Sequence, residues 1–301
     1  MKLYKVLMTA AAVSVLAACG NGDSDDLALG KLGIGVTDAP VDEAEKVVVR
    51  FTGIEVKPAS GNAEVITFAS PKDIDLLALQ GGNAAALISD YELPAGEYQW
   101  LRLLVSAEFD NVVDSYIQIL GSQYELYVPS GSETGLKLNS GFVVPQGSVA
   151  NYTIDFDLRK SVVKPNGQPG YFLKPSLRMV NNVEVGSVSG SIDSAVIAGQ
   201  CEGTALGAVY LFSGDNAVVD DVDGAAAEPL ASGLVSVDEQ GAYVYSIGFL
   251  LAGDYTVSYT CDAALDTPEA DEALDFFGTQ NIDVSAGATT TVDFSAAVPT
   301  N

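Results

Sequence analysis

Residues 153–161 read TIDFDLRKS, and apolar and charged side chains alternate along this stretch. Such alternation is typical of a β-strand, because successive side chains of a strand point to opposite faces. The charged side chains share one face, and they are Asp155, Asp157 and Arg159. Similar segments recur along the chain between Gly, Pro, Asn and Asp residues, for example VVVRFTGIEV at 47–56. The sequence therefore predicts an all-β fold.

Charge divides the chain into two parts. From residue 187 to the end there are eighteen Asp and Glu residues and no Lys or Arg, whereas the preceding part contains both signs. The segment ELPAGEYQW at 92–100 resembles FLLAGDYTV at 249–257, so the same Ala-Gly-acid-Tyr turn leads into a strand in both parts. We therefore predict two β-sandwich domains in tandem, at 29–184 and 187–298, each with a tyrosine near a corner.

The N-terminal stretch MKLYKVLMTAAAVSVLAACGNG has the pattern of a targeting segment. Lys2 and Lys5 precede an apolar run that is too short for a stable spanning helix. Leu-Ala-Ala-Cys at 16–19 resembles the cleavage site of bacterial lipoproteins, which implies a signal peptide at 1–18 and a lipid on Cys19. An ordinary secretory signal with a chance cysteine is the alternative.

Residues 19–28 are predicted to be a polar tether between the lipid and the fold. Gly20 follows Cys19, and by resemblance to enterobacterial sorting this favours the outer membrane of a Gram-negative bacterium. The net charge of −26 argues against nucleic acid as a partner, because binding to phosphates needs Lys and Arg. We expect contact with the membrane through the lipid anchor. An envelope or surface protein and a glycan both remain open as partners.

Two cysteines remain after Cys19, and they are Cys201 and Cys261. An even number of cysteines in an exported protein predicts a disulfide. Their spacing fits no zinc site, and the chain has no histidine to complete one. We expect no cofactor, with calcium left open below.

The lack of histidine also removes the usual general base. Asp155 and Asp157 could form the carboxylate pair of a glycoside hydrolase, or they could be ordinary partners of basic residues on a sheet. A hairpin turn at Asn166-Gly167 places Asp155 opposite Arg178. We favour the structural interpretation, a charge network on a solvated sheet face that is made of Lys137, Asp155, Asp157, Arg159, Lys174 and Arg178.

The segment SGDNAVVDDVDG at 213–224 concentrates carboxylates. Asp220, Asp221 and Asp223 supply the oxygen ligands that calcium prefers, although the full calcium-loop pattern is incomplete. We favour a solvated acidic loop, with a calcium site as the alternative.

Aromatic residues raise the question of a sugar platform. Tyr116, Tyr124 and Tyr127 are candidates, although tyrosine is also common in strands. Trp100 is the only tryptophan, and its apolar strand predicts a role in the core.

Six ordered segments carry a family resemblance. They are VTDAP (36–40), IDLLAL (74–79), LPAGEYQWLRL (93–103), VPSGSETGLKL (128–138), DFDLRKSVV (155–163) and YFLKPSLRMV (171–180). Together they resemble the bacterial lipoprotein domain of unknown function numbered 4382, over about 29–182. This family brings no established activity. Residues 187–298 resemble a prealbumin-like or carboxypeptidase-regulatory-like sandwich.

The predicted function is a lipid-anchored cell-envelope protein with a non-catalytic binding, adhesion or structural role. A calcium-assisted polysaccharide-binding surface module is the first alternative. A carboxylate-dependent glycoside hydrolase is the second.

Overall fold

We describe a computed structural model of the chain. It describes residues 28–39, 44–110, 112–129, 135–165, 167, 169–174, 176–268 and 270–296. The predicted signal peptide, Cys19 and all but the last residue of the predicted tether lie outside the described residues. None of the helices in the described part of the chain has the length and apolarity needed to cross a membrane.

The first set of strands forms two sheets. The strands are β1 (Leu29–Ala39), β2 (Lys46–Pro58), β3 (Glu64–Asp75), β4 (Ala85–Pro94), β5 (Gly96–Ser106), β6 (Tyr116–Ile119), β7 (Ser122–Tyr127), β8 (Leu136–Leu138), β9 (Phe142–Val144), β10 (Val149–Asp157), β11 (Val162–Val163), β12 (Tyr171–Leu173) and β13 (Leu177–Asn181). A 3-10 helix at Leu76–Leu79 and the short helix α1 at Leu158–Ser161 interrupt them.

The smaller sheet has the order β13-β10-β1-β4. The larger sheet has the order β11-β12-β7-β6-β2-β5-β8, with β3 beside β2 and β9 beside β5. The alternating apolar side chains of both sheets meet in one core, in which Phe51 of the larger sheet and Phe156 of the smaller sheet are fully buried. Their rings contact edge to face, with centroids 6.1 Å apart. The two sheets thus form a β-sandwich.

The second set of strands also forms two sheets. The strands are β14 (Val185–Ile192), β15 (Ala208–Ser213), β16 (Ala231–Leu234), β17 (Ser236–Val237), β18 (Tyr243–Leu251), β19 (Gly253–Thr260), β20 (Phe276–Val284) and β21 (Thr289–Thr291). Helix α2 spans Ser194–Gln200, and a 3-10 helix spans Asp262–Leu265. The sheet orders are β17-β18-β14-β21 and β16-β15-β19-β20, and a second core lies between them. The predicted all-β class with two sandwiches is therefore confirmed.

The two sandwiches share one plan around their first strands. Strand β1 lies between parallel β10 and antiparallel β4, and β14 lies between parallel β21 and antiparallel β18. In the first sandwich the hydroxyl of Tyr98 donates to the carbonyl oxygen of Pro94 at 2.9 Å. In the second, the hydroxyl of Tyr255 donates to the carbonyl oxygen of Leu251 at 2.7 Å. Each repeated Ala-Gly-acid-Tyr segment therefore forms a tyrosine corner.

A disulfide joins Cys201 and Cys261, whose Cα atoms are 5.2 Å apart. Cys201 ends α2 and Cys261 directly follows β19, so the bond ties the helix to a central strand of the second sandwich. The buried Tyr259 packs beside it, and its hydroxyl lies 3.0 Å from the Cys201 sulfur. Burial raises the pKa of Tyr259 to about 12. The disulfide predicted from the sequence is confirmed.

Candidate functional site

Asp155 lies two residues before the end of β10, opposite Arg178 of β13. This is the register that a turn at Asn166-Gly167 predicts, although Asn166 itself lies outside the described residues. The Arg178 Nε donates to Asp155 Oδ2 at 2.6 Å. The two side chains therefore form a hydrogen-bonded ion pair across neighbouring strands.

The face of β10 that carries Asp155 is covered, because the second sandwich packs against it. Asp155 is only 8% exposed. Residues of both sandwiches line a small polar cavity around the ion pair, including Thr37 and Asp38 on one side and Ser246 and Phe249 on the other. The prediction of a solvated sheet face is wrong for Asp155, since the sequence pattern did not indicate that a second sandwich covers this face.

Burial decides the protonation behaviour of this carboxyl. Loss of water raises the pKa of Asp155 above its ordinary value, and the ion pair with Arg178 counteracts this rise only in part. The pair is therefore a desolvated ion pair of the first sandwich that the second sandwich covers, and not an exposed surface salt bridge.

Lys137 does not belong to this charge network. Strand β8 pairs with β5 of the larger sheet, so Lys137 is the neighbour of Arg102. The strand that lies beside β10 on the side away from β13 is β1, which pairs with it in parallel, so Lys137 is not a neighbour of Asp155. Lys137 Nζ instead lies 4.5 Å from the centroid of the Trp100 ring, and the Arg102 guanidinium lies 5.2 Å from it. Trp100 thus lies on the outer face of the larger sheet, and its predicted role in the core is wrong.

Lys174 and Arg159 are also separated from Asp155 by the chain path. Lys174 is exposed and directly follows β12, which belongs to the larger sheet. Arg159 lies in α1, where the chain crosses from one sheet to the other, and its side chain lies outside the described residues. A continuous hairpin would have kept all these residues on one sheet, but α1 divides it into two strand pairs.

Lys160 of the first sandwich makes a charged contact with Glu228 of the second, and Asp157 lies beside Lys160. The Asp157 Oδ1 accepts from the backbone N–H of Lys160 at 3.3 Å, and so caps α1. The Lys160 Nζ donates to the Glu228 carboxylate and, at 3.4 Å, to the carbonyl oxygen of Pro229. These residues, with Asp155 and Arg178, line a cleft of about 360 Å³.

The acidic segment of the second sandwich forms a compact carboxylate cluster. Oxygens of Asp221, Asp223 and Asp271 lie within 4.8 Å of one another, and so do oxygens of Asp221, Asp266 and Glu272. Asp221 belongs to both groups and is 1% exposed. The predicted solvated loop is therefore wrong at Asp221.

Sequence reasoning found part of this cluster. It named Asp221 and Asp223, and it also named Asp220, which belongs to neither group among the described residues. It missed the members that follow β19, although their acid-rich segment DTPEADEALD at 266–275 was visible.

The cluster is held by backbone hydrogen bonds. The Glu272 N–H donates to Asp221 Oδ2, and the Val222 N–H donates to Asp266 Oδ1 at 3.0 Å. The pKa of Asp221 is raised above its ordinary value, chiefly because the carboxyl is buried and further because other carboxylates lie nearby. The hydrogen bond from the Glu272 N–H counteracts part of this rise. Hydrogen bonds from Thr267 lower the pKa of Glu272.

An aromatic cluster lies on the outer face of the larger sheet. The ring centroids of Tyr127 and Phe172 are 4.1 Å apart, and those of Phe109 and Tyr127 are 4.9 Å apart. Phe109 is 48% exposed. Tyr116 shares this face because it pairs with Glu125, two residues before Tyr127. We call Phe109, Tyr127 and Phe172 the aromatic cluster.

Tyr124, the third tyrosine of the predicted platform, lies on the opposite face of β7. It packs against the core beside Tyr171, and the two ring centroids are 5.7 Å apart. The predicted platform of three tyrosines therefore divides between two faces. On the outer face, Tyr127 contacts Phe109 and Phe172, two rings that the sequence analysis did not single out.

These features define an all-β protein of two sandwiches, of which the second contains the disulfide. The sandwiches meet at the Lys160–Glu228 ion pair and around the covered Asp155–Arg178 pair. Residues 29–175 match the family model described as Domain of unknown function (DUF4382). The match confirms the family resemblance seen in the sequence, with an end at 175 instead of 182. The prealbumin-like or carboxypeptidase-regulatory-like resemblance of 187–298 stays a prediction.

Several solved structures are similar to the chain at low identity. The TIE protein of Bacillus anthracis aligns with 88% of this chain at 12% identity and a TM-score of 0.19, and this chain spans 33% of its length. The minor pilin GBS52 of Streptococcus agalactiae aligns over 89% of this chain and 99% of its own length, at 10% identity and a TM-score of 0.19. A candidate cell adhesion protein of Bacteroides fragilis NCTC 9343 aligns over 89% and 95%, at 11% identity and a TM-score of 0.24.

At these TM-scores the similarity assigns neither a fold nor a function to this chain. Among curated proteins, none matches its sequence.

Proposed function

We propose that this chain is a lipid-anchored protein of the cell envelope with a non-catalytic binding, adhesion or structural role. The observation that carries the proposal is the aromatic cluster, whose rings contact one another on the outer face of a large sheet. Clustered rings on a rigid surface offer a large contact area at a low cost in conformational entropy, and exposed apolar patches are typical of interaction sites. In this proposal, 29–184 and 187–298 are two domains behind the tether of 19–28.

The side chains available for catalysis support a non-catalytic role. A glycoside hydrolase needs two carboxylates that can act together on one bond. Asp155 is buried and paired with Arg178, while Asp157 caps α1 and faces Lys160. Both carboxylates therefore have structural partners within the first sandwich. The chain also has no histidine to serve as a general base.

Polysaccharide binding is the more specific form of this proposal, and it can be tested at the aromatic cluster. We expect the mature chain to be retarded in a native gel that contains laminarin, a neutral glucan, because a net charge of −26 disfavours acidic polymers. Phe109→Ala and Tyr127→Ala should each weaken retardation at least about fivefold, the effect of about 1 kcal/mol for one ring contact.

The matched control is Leu120→Ala, which removes an apolar side chain that is 92% exposed at the turn between β6 and β7. It should be retarded like the wild type. Equal losses in all three variants would contradict a role of the aromatic cluster. Release of reducing ends from the glucan would contradict the non-catalytic role and favour the hydrolase.

The lipid anchor rests on the Leu-Ala-Ala-Cys site and is tested separately. Cells that receive labelled palmitate should incorporate it into this protein, because the acyl chains are attached to Cys19. Cys19→Ala should abolish labelling and release the chain from the membrane fraction. Cys201→Ala is the matched control, and it should remain labelled. Labelling that survives Cys19→Ala would exclude this anchor.

A further inference from the structure

One buried oxygen of the carboxylate cluster accepts no hydrogen bond from the described residues. Oδ1 of Asp221 is buried, and no described residue donates a hydrogen bond to it. Its companion Oδ2 accepts from the Glu272 N–H. A buried carboxylate oxygen without a partner is costly, so this oxygen calls for a ligand that carries positive charge.

The neighbours of Asp221 determine the kind of ligand. Oxygens of Asp221, Asp223 and Asp271 lie within 4.8 Å of one another. Two oxygens bound to one calcium ion at about 2.4 Å lie at most about 4.8 Å apart, so the three oxygens are close enough to share one ion. Such a concentration of negative charge is unfavourable unless a cation neutralises it.

The protein itself supplies little compensation near this cluster. The chain has no Lys or Arg from residue 187 to its end. Among the described residues, an ion pair reaches the second sandwich where Lys160 contacts Glu228. Glu228 belongs to neither carboxylate group. This favours a cation from solvent as the source of the neutralising charge.

We propose that Asp221, Asp223 and Asp271 bind a calcium ion. Carboxylate oxygens are hard ligands, and calcium accepts them in irregular arrangements that water completes, whereas magnesium requires a near-ideal octahedron. Zinc is disfavoured, because the chain has no histidine and both cysteines of this sandwich form the disulfide. Asp271 is exposed, so water has access to the remaining coordination positions.

Asp266 and Glu272 form the second carboxylate group around Asp221 and support these ligands. The oxygens of Asp266 accept from the Tyr210 hydroxyl and from the Val222 N–H, and those of Glu272 accept from Thr267. Their hydrogen bonds hold the two segments that carry the ligands against each other. Positioning partners of this kind are typical of metal sites.

The site also connects to the contact between the sandwiches. The carboxylate of Glu228 accepts from the Gly224 N–H, one residue after Asp223, and from Lys160 of the first sandwich. Calcium bound at Asp223 would therefore order the segment that contains Glu228, and it would support the contact of Glu228 with Lys160. This inference does not depend on the ligand of the aromatic cluster.

The experiment compares thermal unfolding of the mature chain in EGTA, in 10 mM calcium chloride (about ten to a hundred times the Kd of a typical extracellular site) and in equal magnesium chloride. We expect calcium to raise the melting temperature by about 5 to 10 °C, with less effect from magnesium. Asp221→Asn should remove this rise. The matched control Asp215→Asn removes an exposed charge from the same segment and should keep it.

Titration calorimetry with calcium alone should show one site, weakened at least about tenfold by Asp271→Asn. Asp271 is exposed, so this variant should fold even if Asp221→Asn does not. The same temperature rise in magnesium, or an equal rise in Asp221→Asn and Asp215→Asn, would mean general charge screening and would overturn the proposal. No rise in the wild type, or unchanged binding in Asp271→Asn, would overturn it as well.

Discussion

Loss of the Cys201–Cys261 disulfide is expected to lower the free energy of unfolding of the second sandwich by about 4 kcal/mol in the chain-entropy model. The bond closes a loop with a sequence separation of 60 residues, so it strongly restricts the unfolded chain. In a unit of about this size, such a loss corresponds to a melting temperature lower by about 15 °C or more. The double variant Cys201→Ala/Cys261→Ala is the best test, because it leaves no free thiol.

The two sandwiches can be followed separately in this experiment. Trp100 is the only tryptophan and lies in β5, so its fluorescence reports on the first sandwich, whereas circular dichroism reports on both. We expect the circular dichroism transition of the second sandwich to move and the Trp100 transition to change little. A reductant should reproduce the effect in the wild type and have none in the double variant. Equal melting of the wild type and the double variant would contradict the expected stabilisation.

Arg178→Gln is expected to cost about 3 to 5 kcal/mol of unfolding free energy at pH 7, because it leaves a buried carboxylate without its charged partner. The two partners differ in exposure, since the Asp155 side chain is 11% exposed and that of Arg178 is 27% exposed. Asp155→Asn should therefore cost less, about 1 kcal/mol, because Arg178 can turn towards water and the amide oxygen can still accept a hydrogen bond.

The double variant Asp155→Asn/Arg178→Gln should recover most of the loss caused by Arg178→Gln, because neither unpaired charge remains. Denaturant melts of the four proteins measure this coupling. A surface pair would instead give two small and similar losses, and high salt would reduce them. Small, equal losses would therefore contradict a buried ion pair that the second sandwich covers.

Lowering the pH should reduce the loss of unfolding free energy that Arg178→Gln causes. Burial raises the pKa of Asp155 in the folded chain above its unfolded value, so the folded state binds this proton more readily. Between those two values, stability falls as pH rises and grows as pH falls. We expect the difference in unfolding free energy between the wild type and Arg178→Gln to become smaller as the pH is lowered from 7 towards 5. This dependence on pH should be absent when Asp155 is also replaced by Asn.

The sequence by itself determined the elements and their local pairing. Alternation from Thr153 to Asp157 predicted the strand and its two faces, whereas Leu158–Ser161, which the same pattern placed in the strand, form α1. The Asn166-Gly167 signal predicted the register of Asp155 with Arg178. The repeated Ala-Gly-acid-Tyr turn indicated the tyrosine corners, and the number of cysteines indicated the disulfide. These features depend on side-chain periodicity, on turns and on residue chemistry within short segments, all of which can be read directly from a sequence.

Only the tertiary structure decided which surfaces meet. Alternation shows that Asp155 lies on the polar face of a strand, but it does not show that the second sandwich covers this face. Likewise, the neighbour of β10 is β1 and not β8, the strand of Lys137. Asp271 lies beside Asp221 although it is fifty residues later in the chain. Contacts between distant segments depend on how whole faces pack, and a local pattern carries no information about the partner that buries it.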